Sequence, residues 1–92
     1  SDLQIFEKNA TNGDKNSAFK LYQYHMFVSL DQDSEFKWLE IAAKNGHPIA
    51  QSNLADLFFT QGNKEKAIFW AKKAYRNGAK LPDELKILIN IN

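Results

Sequence analysis

The segment that decides the fold is FKWLEIAAKNGHPIAQSNLA, residues 36–55. Its apolar residues recur with the spacing of a helix and not with the alternation of a strand. The first run ends at Asn45-Gly46, where a glycine can take the left-handed conformation that closes a helix. Pro48 then stands where the next helix is expected to open, because a first helical residue needs no backbone donor. The segment therefore predicts two helices joined by a short turn.

The same pattern recurs along the chain. Asn-Gly stands at 12–13, 45–46 and 77–78, at spacings of 33 and 32 residues. Superposed blocks also pair Trp38 with Trp70, Ala42 with Ala74, Lys44 with Arg76, Ala18 with Ala50, and 10–13 with 43–46. A repeat of this length corresponds to one helix-turn-helix unit of an α-solenoid. The sequence therefore predicts stacked helical hairpins.

Turn residues divide the chain into six helices. We predict these at 3–11, 16–29, 34–44, 48–60, 64–76 and 83–91, with no strand. The glycines expected to close helices are Gly13, Gly46, Gly62 and Gly78. First helical positions are predicted at Pro48 and Pro82, and N-caps at Asp33 and Asn63.

Two of these helices carry clear stripes of apolar or small residues. In the fourth helix the stripe consists of Ala50, Leu54, Leu57 and Phe58. In the fifth helix it consists of Ala67, Ala71 and Ala74. Small residues let two helix axes approach closely, while bulky residues fill the space beside them. We therefore expect the fourth and fifth helices to form an antiparallel pair across the turn at 61–64.

Composition sets the broad class of the protein. The 92 residues amount to one domain, 1–92, and 43% hydrophobic with 25% charged residues is the balance of a folded protein. Twelve bases against eleven acids leave a net charge of +1, which argues against bulk nucleic-acid or polybasic membrane binding. The absence of cysteine excludes disulfides and thiolate zinc sites. No apolar run is long enough to predict a membrane span.

The sequence opens at Ser1 and not at Met. We therefore expect that something upstream was removed, which can be an initiator Met, an export signal or a cloning boundary. A cytoplasmic and a periplasmic location both remain open on this basis.

Residues 36–55 resemble the junction of a Sel1-like repeat, a relative of the tetratricopeptide repeat. There a Trp-containing second helix runs through Ala-Ala and Gly into the next first helix. Residues 62–67, Trp70 and Ala74 look like the second half of the following repeat. The resemblance covers residues 10–79. The chain departs from the pattern in its short 61–64 loop and in Ala55, where the family commonly has Gly.

The resemblance implies an all-α, right-handed superhelix of about two full repeats, with a partial unit before them and a capping helix after them. First helices of such repeats line a concave face that holds other proteins. Carried over to this chain, the protein-binding residues are Lys20, Leu21, Tyr24, Phe27, Ser52, Asn53, Asp56 and Phe59. The carboxylate clamp of some tetratricopeptide domains is incomplete, because Tyr24 stands one turn after Lys20 where Asn is required.

The implied function is non-enzymatic binding of one partner protein. A bacterial immunity or inhibitor protein directed at a toxin or effector is the expected form, or an adaptor that holds a component of a complex. The alternatives are a general scaffold or regulatory repeat protein, and a small hydrolase or metal enzyme. We predict no cofactor and no nucleic-acid partner, and the oligomeric state is left open.

Catalytic and metal-binding patterns are weak in this sequence. His25 and His47 are the two histidines, and neither stands at a metal-ligand spacing from another ligand. Residues 31–35 contain three acids but lack the central glycine and distal carboxylate of a calcium loop. Residues 62–80 carry six bases and one acid. We interpret that segment as a solvated face, with docking of an acidic partner or nucleic acid as the alternatives.

Overall fold

The computed structural model describes residues 1–90. The six helices are α1 Asp2–Thr11, α2 Lys15–Phe27, α3 Gln32–Lys44, α4 Pro48–Thr60, α5 Lys64–Arg76 and α6 Asp83–Leu88. No strand occurs within these 90 residues, so the all-α prediction is confirmed. The chain divides into a first unit, Ser1–His47, and a second unit, Pro48–Asn92.

The first unit is built around the α2–α3 hairpin, with α1 packed on α2. Its buried side chains come from all three helices: Ala10, Ser17, Ala18, Leu21, Tyr22, Trp38, Leu39, Ala42 and Ala43. His47 closes the unit, and its imidazole stacks on the ring of Phe19 with 4.1 Å between centroids. Burial lowers the pKa of His47 and the nearby Lys15 lowers it further, so the neutral ring is favoured at this contact.

The second unit is built around the α4–α5 hairpin, with α6 packed on α5. The predicted α4–α5 pair is thereby confirmed, and its striped residues are buried except Leu57, which is half-buried. The stripe of α4 is wider than the sequence indicated, because Gln51 is also fully buried. The Gln51 amide oxygen accepts a hydrogen bond from Asn77 Nδ2 at 2.9 Å, just past the end of α5. A polar pair therefore ties the start of α4 to the end of its partner helix.

Four helix ends share one closing motif. In each, the glycine N–H donates to the carbonyl three residues back and the next N–H to the carbonyl five residues back. The glycines, all at positive φ as predicted, are Gly13, Gly46, Gly62 and Gly78. Pro48 begins α4 and Asn63 caps α5, which confirms both of those predictions.

Two predicted helix starts are wrong by one or two residues. Asp31, and not Asp33, caps α3, because its carboxylate accepts from the Ser34 amide at 3.3 Å and the Ser34 hydroxyl at 2.8 Å. Asp33 lies in the first turn of α3 instead. Pro82 has the extended ψ of 155° and is the N-cap of α6, so the helix starts one residue later.

Two predicted helix ends also differ from those observed. Helix α2 ends at Phe27 and not at residue 29, because Val28 and Ser29 both donate their N–H to the Tyr24 carbonyl and leave the helix. Helix α6 ends at Leu88 and not at residue 91, and Asn90 has a positive φ of 61°. The predicted final residue, 91, lies outside the described part of the chain.

The α2–α3 turn differs from the α4–α5 turn at one informative position. Leu30 precedes the N-cap Asp31 just as Gly62 precedes the N-cap Asn63, and both have positive φ, 56° and 80°. Leucine is disfavoured in this region because its Cβ crowds the backbone, whereas glycine is not. The Leu30 side chain is 72% exposed, so packing does not compensate for its backbone conformation.

We therefore expect Leu30→Gly to stabilise the protein. Relief of the left-handed leucine is worth about 1–2 kcal/mol, and the extra freedom of unfolded glycine offsets about 0.4–1 kcal/mol of it. The expected net gain in the free energy of unfolding is about 0.5–1 kcal/mol, measured by urea denaturation.

The matched control for this prediction is Gly62→Ala. Nothing lies within 4 Å of a Cβ placed at Gly62, so the loss expected there comes from the positive φ and not from crowding. A fall in stability with Leu30→Gly would show that the leucine side chain makes a contact that the folded state needs.

Candidate protein-binding site

The outer face of α2 holds three of the predicted site residues. Lys20, Tyr24 and Phe27 lie on one side of the helix at spacings of three and four residues. The Lys20 ammonium sits 5.1 Å from the centre of the Phe6 ring of α1, and Tyr24 is half-buried. Phe27 is 71% exposed at the end of the helix. The structure therefore brings these three side chains together on a surface that mixes aromatic and basic groups.

The outer face of α4, in the second unit, holds three more. Asn53 and Asp56 are half-buried, and Phe59 is 40% exposed at the end of the helix. The aromatic ring again lies near polar side chains one turn or two before it. The α4 face is described here by itself, as a second small surface with one aromatic residue.

Two predicted site residues do not lie on a surface. Leu21 is 1% exposed and Ser52 is 7% exposed, so both pack in the interior. The prediction failed because Ala18 was superposed on Ala50, at a spacing of 32 residues. Burial matches at a spacing of 33 in the first helices, where Leu21 corresponds to the fully buried Leu54.

The one-residue difference has a structural cause. The second helices, α3 and α5, keep the spacing of 32, so that buried Trp38 corresponds to buried Trp70. The connection from α2 to α3 has four residues, 28–31, and that from α4 to α5 has three, 61–63. An extra residue in the first turn therefore shifts the first helices relative to the second ones, and the glycine spacing alone does not reveal it.

A polar cluster closes α2 beyond the predicted residues. His25 Nδ1 lies 2.7 Å from Ser29 Oγ, and the Asp31 amide donates to the same oxygen at 3.3 Å. Hydrogen bonds from the Ser34 hydroxyl and amide hold the pKa of the Asp31 carboxyl below its usual range. Asp31 therefore stays ionised down to acidic pH. The cluster fixes the turn that carries Val28 and Leu30.

A shallow groove of about 490 Å³ lies in the first unit and was not predicted. It runs between the end of α1 and α3, and its lining residues are Ala10, Thr11, Gly13, Lys37, Trp38, Ile41, Lys44 and Asn45. The Lys37 ammonium lies 4.7 Å from the centre of the Trp38 ring, and Lys44 pairs with Glu40 at 3.9 Å. The basic ends of this groove are thus engaged by neighbours on α3 itself.

Charge is divided between the two units. Residues 1–47 contain five bases and seven acids, and residues 48–92 contain seven bases and four acids. Within residues 1–90, no group of three or more His, Asp and Glu side chains is placed to hold a metal ion. In the same part of the chain, every helix is too short or too polar to cross a bilayer.

Comparison with known proteins gives one informative relative. The chain is 34% identical over 83 residues to the uncharacterized protein YibG of Escherichia coli strain K12. The match covers 83% of this chain and 54% of YibG, so the chain spans about half the length of that relative. No family model matches the sequence, and no solved structure matches it. The functional proposal therefore rests on the residues and geometry of this chain.

Proposed function

We propose that the protein is a non-enzymatic module that binds one partner protein. The observation that carries this proposal is the outer face of α2, where Tyr24 and the 71% exposed Phe27 lie beside Lys20. Aromatic residues surrounded by polar side chains are the common composition of interface anchors. Phe59 on α4 has the same character.

The finer form of the proposal follows the sequence resemblance. The two hairpins are units of a Sel1-like or tetratricopeptide-like superhelix, whose first helices α2 and α4 face the partner. The equal burial of Trp38 and Trp70 at a spacing of 32 residues supports the repeat. A chain with two hairpins has room for one partner, which favours a bacterial immunity or inhibitor protein, or an adaptor, over a general scaffold.

A small hydrolase is the second candidate, and one contact favours it. His25 Nδ1 and Ser29 Oγ are 2.7 Å apart, which is hydrogen-bond distance for a nucleophile and its base. The pair lies four residues apart at the frayed end of one helix, and Asp31 is turned toward Ser34 by two hydrogen bonds. A third group that orients the base is what this arrangement lacks. Turnover of an ester substrate that His25→Ala abolishes would establish the hydrolase and overturn the binding module.

The binding module is tested with two aromatic truncations. We expect Tyr24→Ala and Phe59→Ala each to weaken the complex at least about tenfold, because a truncated anchor costs about 2 kcal/mol. Each should lower the free energy of unfolding by less than about 1.5 kcal/mol, since both side chains keep solvent contact. The partner is purified by affinity capture, and the variants are compared by calorimetric titration.

The matched control is the pair Lys72→Glu and Lys73→Glu on α5. These lysines belong to the basic segment of the second unit, away from both aromatic anchors in sequence. The double variant should keep the affinity within about threefold. Loss of affinity in the lysine variant, with full affinity in the aromatic ones, would place the partner on α5 and overturn the proposed surface.

A further inference from the structure

The turn between α2 and α3 exposes three large apolar side chains within four residues. Phe27, Val28 and Leu30 are 71%, 66% and 72% exposed, and we refer to them as the apolar tip. Isolated exposed apolar residues are common on protein surfaces, but a contiguous group marks a site of contact. The tip is therefore a feature that needs an explanation outside the fold.

The fold itself does not require these side chains. Leu30 occupies the place that Gly62 occupies in the α4–α5 turn, with a positive φ that glycine adopts more readily. The turn is fixed by polar groups instead, through the hydrogen bonds of Ser29 with His25 and with the Asp31 amide. A leucine at a position suited to glycine, with its side chain in solvent, is explained if that side chain contacts another molecule.

Charge around the tip indicates the chemistry of that molecule. Asp31 and Asp33 follow the tip directly and are exposed, and Glu35 is half-buried one turn into α3. No lysine or arginine occurs between Lys20 and Lys37. The apolar tip is thus bordered by carboxylates, without a base to neutralise them.

We propose that the apolar tip inserts into an apolar cleft of a partner protein whose rim carries lysine or arginine. The proposal rests on the proposed binding function and names the chemistry of the partner. Apolar side chains bury in the cleft, while Asp31 and Asp33 meet the basic rim, which sets orientation and speeds association. An anionic membrane is disfavoured as the target, because the same carboxylates are repelled by acidic lipid headgroups.

The test uses three defined probes against the isotope-labelled full chain. The probes are an amphipathic helical peptide of leucine and lysine, its leucine–glutamate counterpart, and vesicles of phosphatidylcholine with phosphatidylserine. Amide chemical shifts report where each probe binds. We expect the lysine peptide to shift residues 27–35, and its affinity to fall at least about threefold between about 50 and 300 mM salt. The glutamate peptide and the vesicles should leave residues 27–35 unshifted.

Matched variants separate the apolar from the ionic contribution. Phe27→Ser combined with Leu30→Gly should weaken lysine-peptide binding about tenfold. Asp33→Asn combined with Glu35→Gln should weaken it about threefold and flatten its salt dependence. Ile5→Ser, at a residue of the same unit that is 56% exposed, should leave it within about twofold. Circular dichroism confirms that each variant folds.

Two results would overturn the tip. Lysine-peptide shifts confined to residues outside 27–35 would place the basic contact elsewhere, and binding of the vesicles through residues 27–35 would make the tip a lipid contact. The captured partner distinguishes this failure from failure of the binding module. If Tyr24→Ala loses the partner while the Phe27→Ser, Leu30→Gly variant keeps it, the module stands and the tip does not.

Discussion

Leu54→Ala is expected to lower the free energy of unfolding by about 2–5 kcal/mol, the range for emptying a packed site in a protein core. Leu54 is fully buried in α4, which packs on α5. The core residues of α5 include Ala67, Ala71 and Ala74, whose methyl groups are too short to fill the space left by a leucine. Because a small domain has about 5–15 kcal/mol of stability in total, this variant can approach complete unfolding.

Phe58→Ala should have an effect in the same range. Phe58 is 7% exposed, and the Lys66 ammonium lies 5.3 Å from the centre of its ring, so the variant loses both packing and a cation–π contact. Leu57→Ala is the matched control, since Leu57 is only half-buried on the same helix and should cost clearly less. Urea denaturation followed by circular dichroism measures all three variants. Native stability in both Leu54→Ala and Phe58→Ala would show that the α4 side chains do not form the core.

Helix number, helix type and most of the turns could be predicted from the sequence, because each rests on local chemistry. A glycine after a periodic run, such as Gly46, closes a helix whatever surrounds it, and Pro48 opens one for the same local reason. The start of α3 was harder, because Asp31 and Asp33 are both suitable caps and only the hydrogen bonds to Ser34 decide between them. Local chemistry left two answers there, and backbone geometry selected one.

The candidate site was predicted less well, because it depends on register. Lys20, Tyr24 and Phe27 lie on the outer face of α2 as expected, but Leu21 and Ser52 are buried. One extra residue in the α2–α3 turn separates the two cases, and the Asn-Gly spacing averages over it. A comparison of burial patterns between the two pairs of helices, with the first helices offset by 33, would have been needed to find this from sequence.

The apolar tip was missed for a different reason. A search for helices treats residues 28–31 as a connection, and Leu30 carries no mark in the sequence of its left-handed backbone. The signal that could have found it is the superposition of Leu30 on Gly62, both one residue before an N-cap. A leucine on a glycine within a repeat is visible in the sequence once the second helices are aligned.

Gln51 and Asn77 lead to the second large effect. Gln51 has no solvent exposure, and its Oε1 accepts from Asn77 Nδ2 at 2.9 Å. Asn77→Ala removes that donor from a buried acceptor, and we expect the free energy of unfolding to fall by about 1–3 kcal/mol. Asn77→Asp should cost at least as much, because a carboxylate replaces the donor with an acceptor that faces Oε1. Both are measured by urea denaturation.

The repeat supplies a matched control for this pair. Asn45 ends α3 as Asn77 ends α5, but the residue that corresponds to Gln51 in the first unit is Ala18, which has no side-chain acceptor. Asn45→Ala should therefore cost clearly less than Asn77→Ala, although both remove an asparagine from the same kind of helix end. Equal losses from the two variants would mean that asparagine stabilises the helix ends themselves, and that the bond to Gln51 contributes little to the second unit.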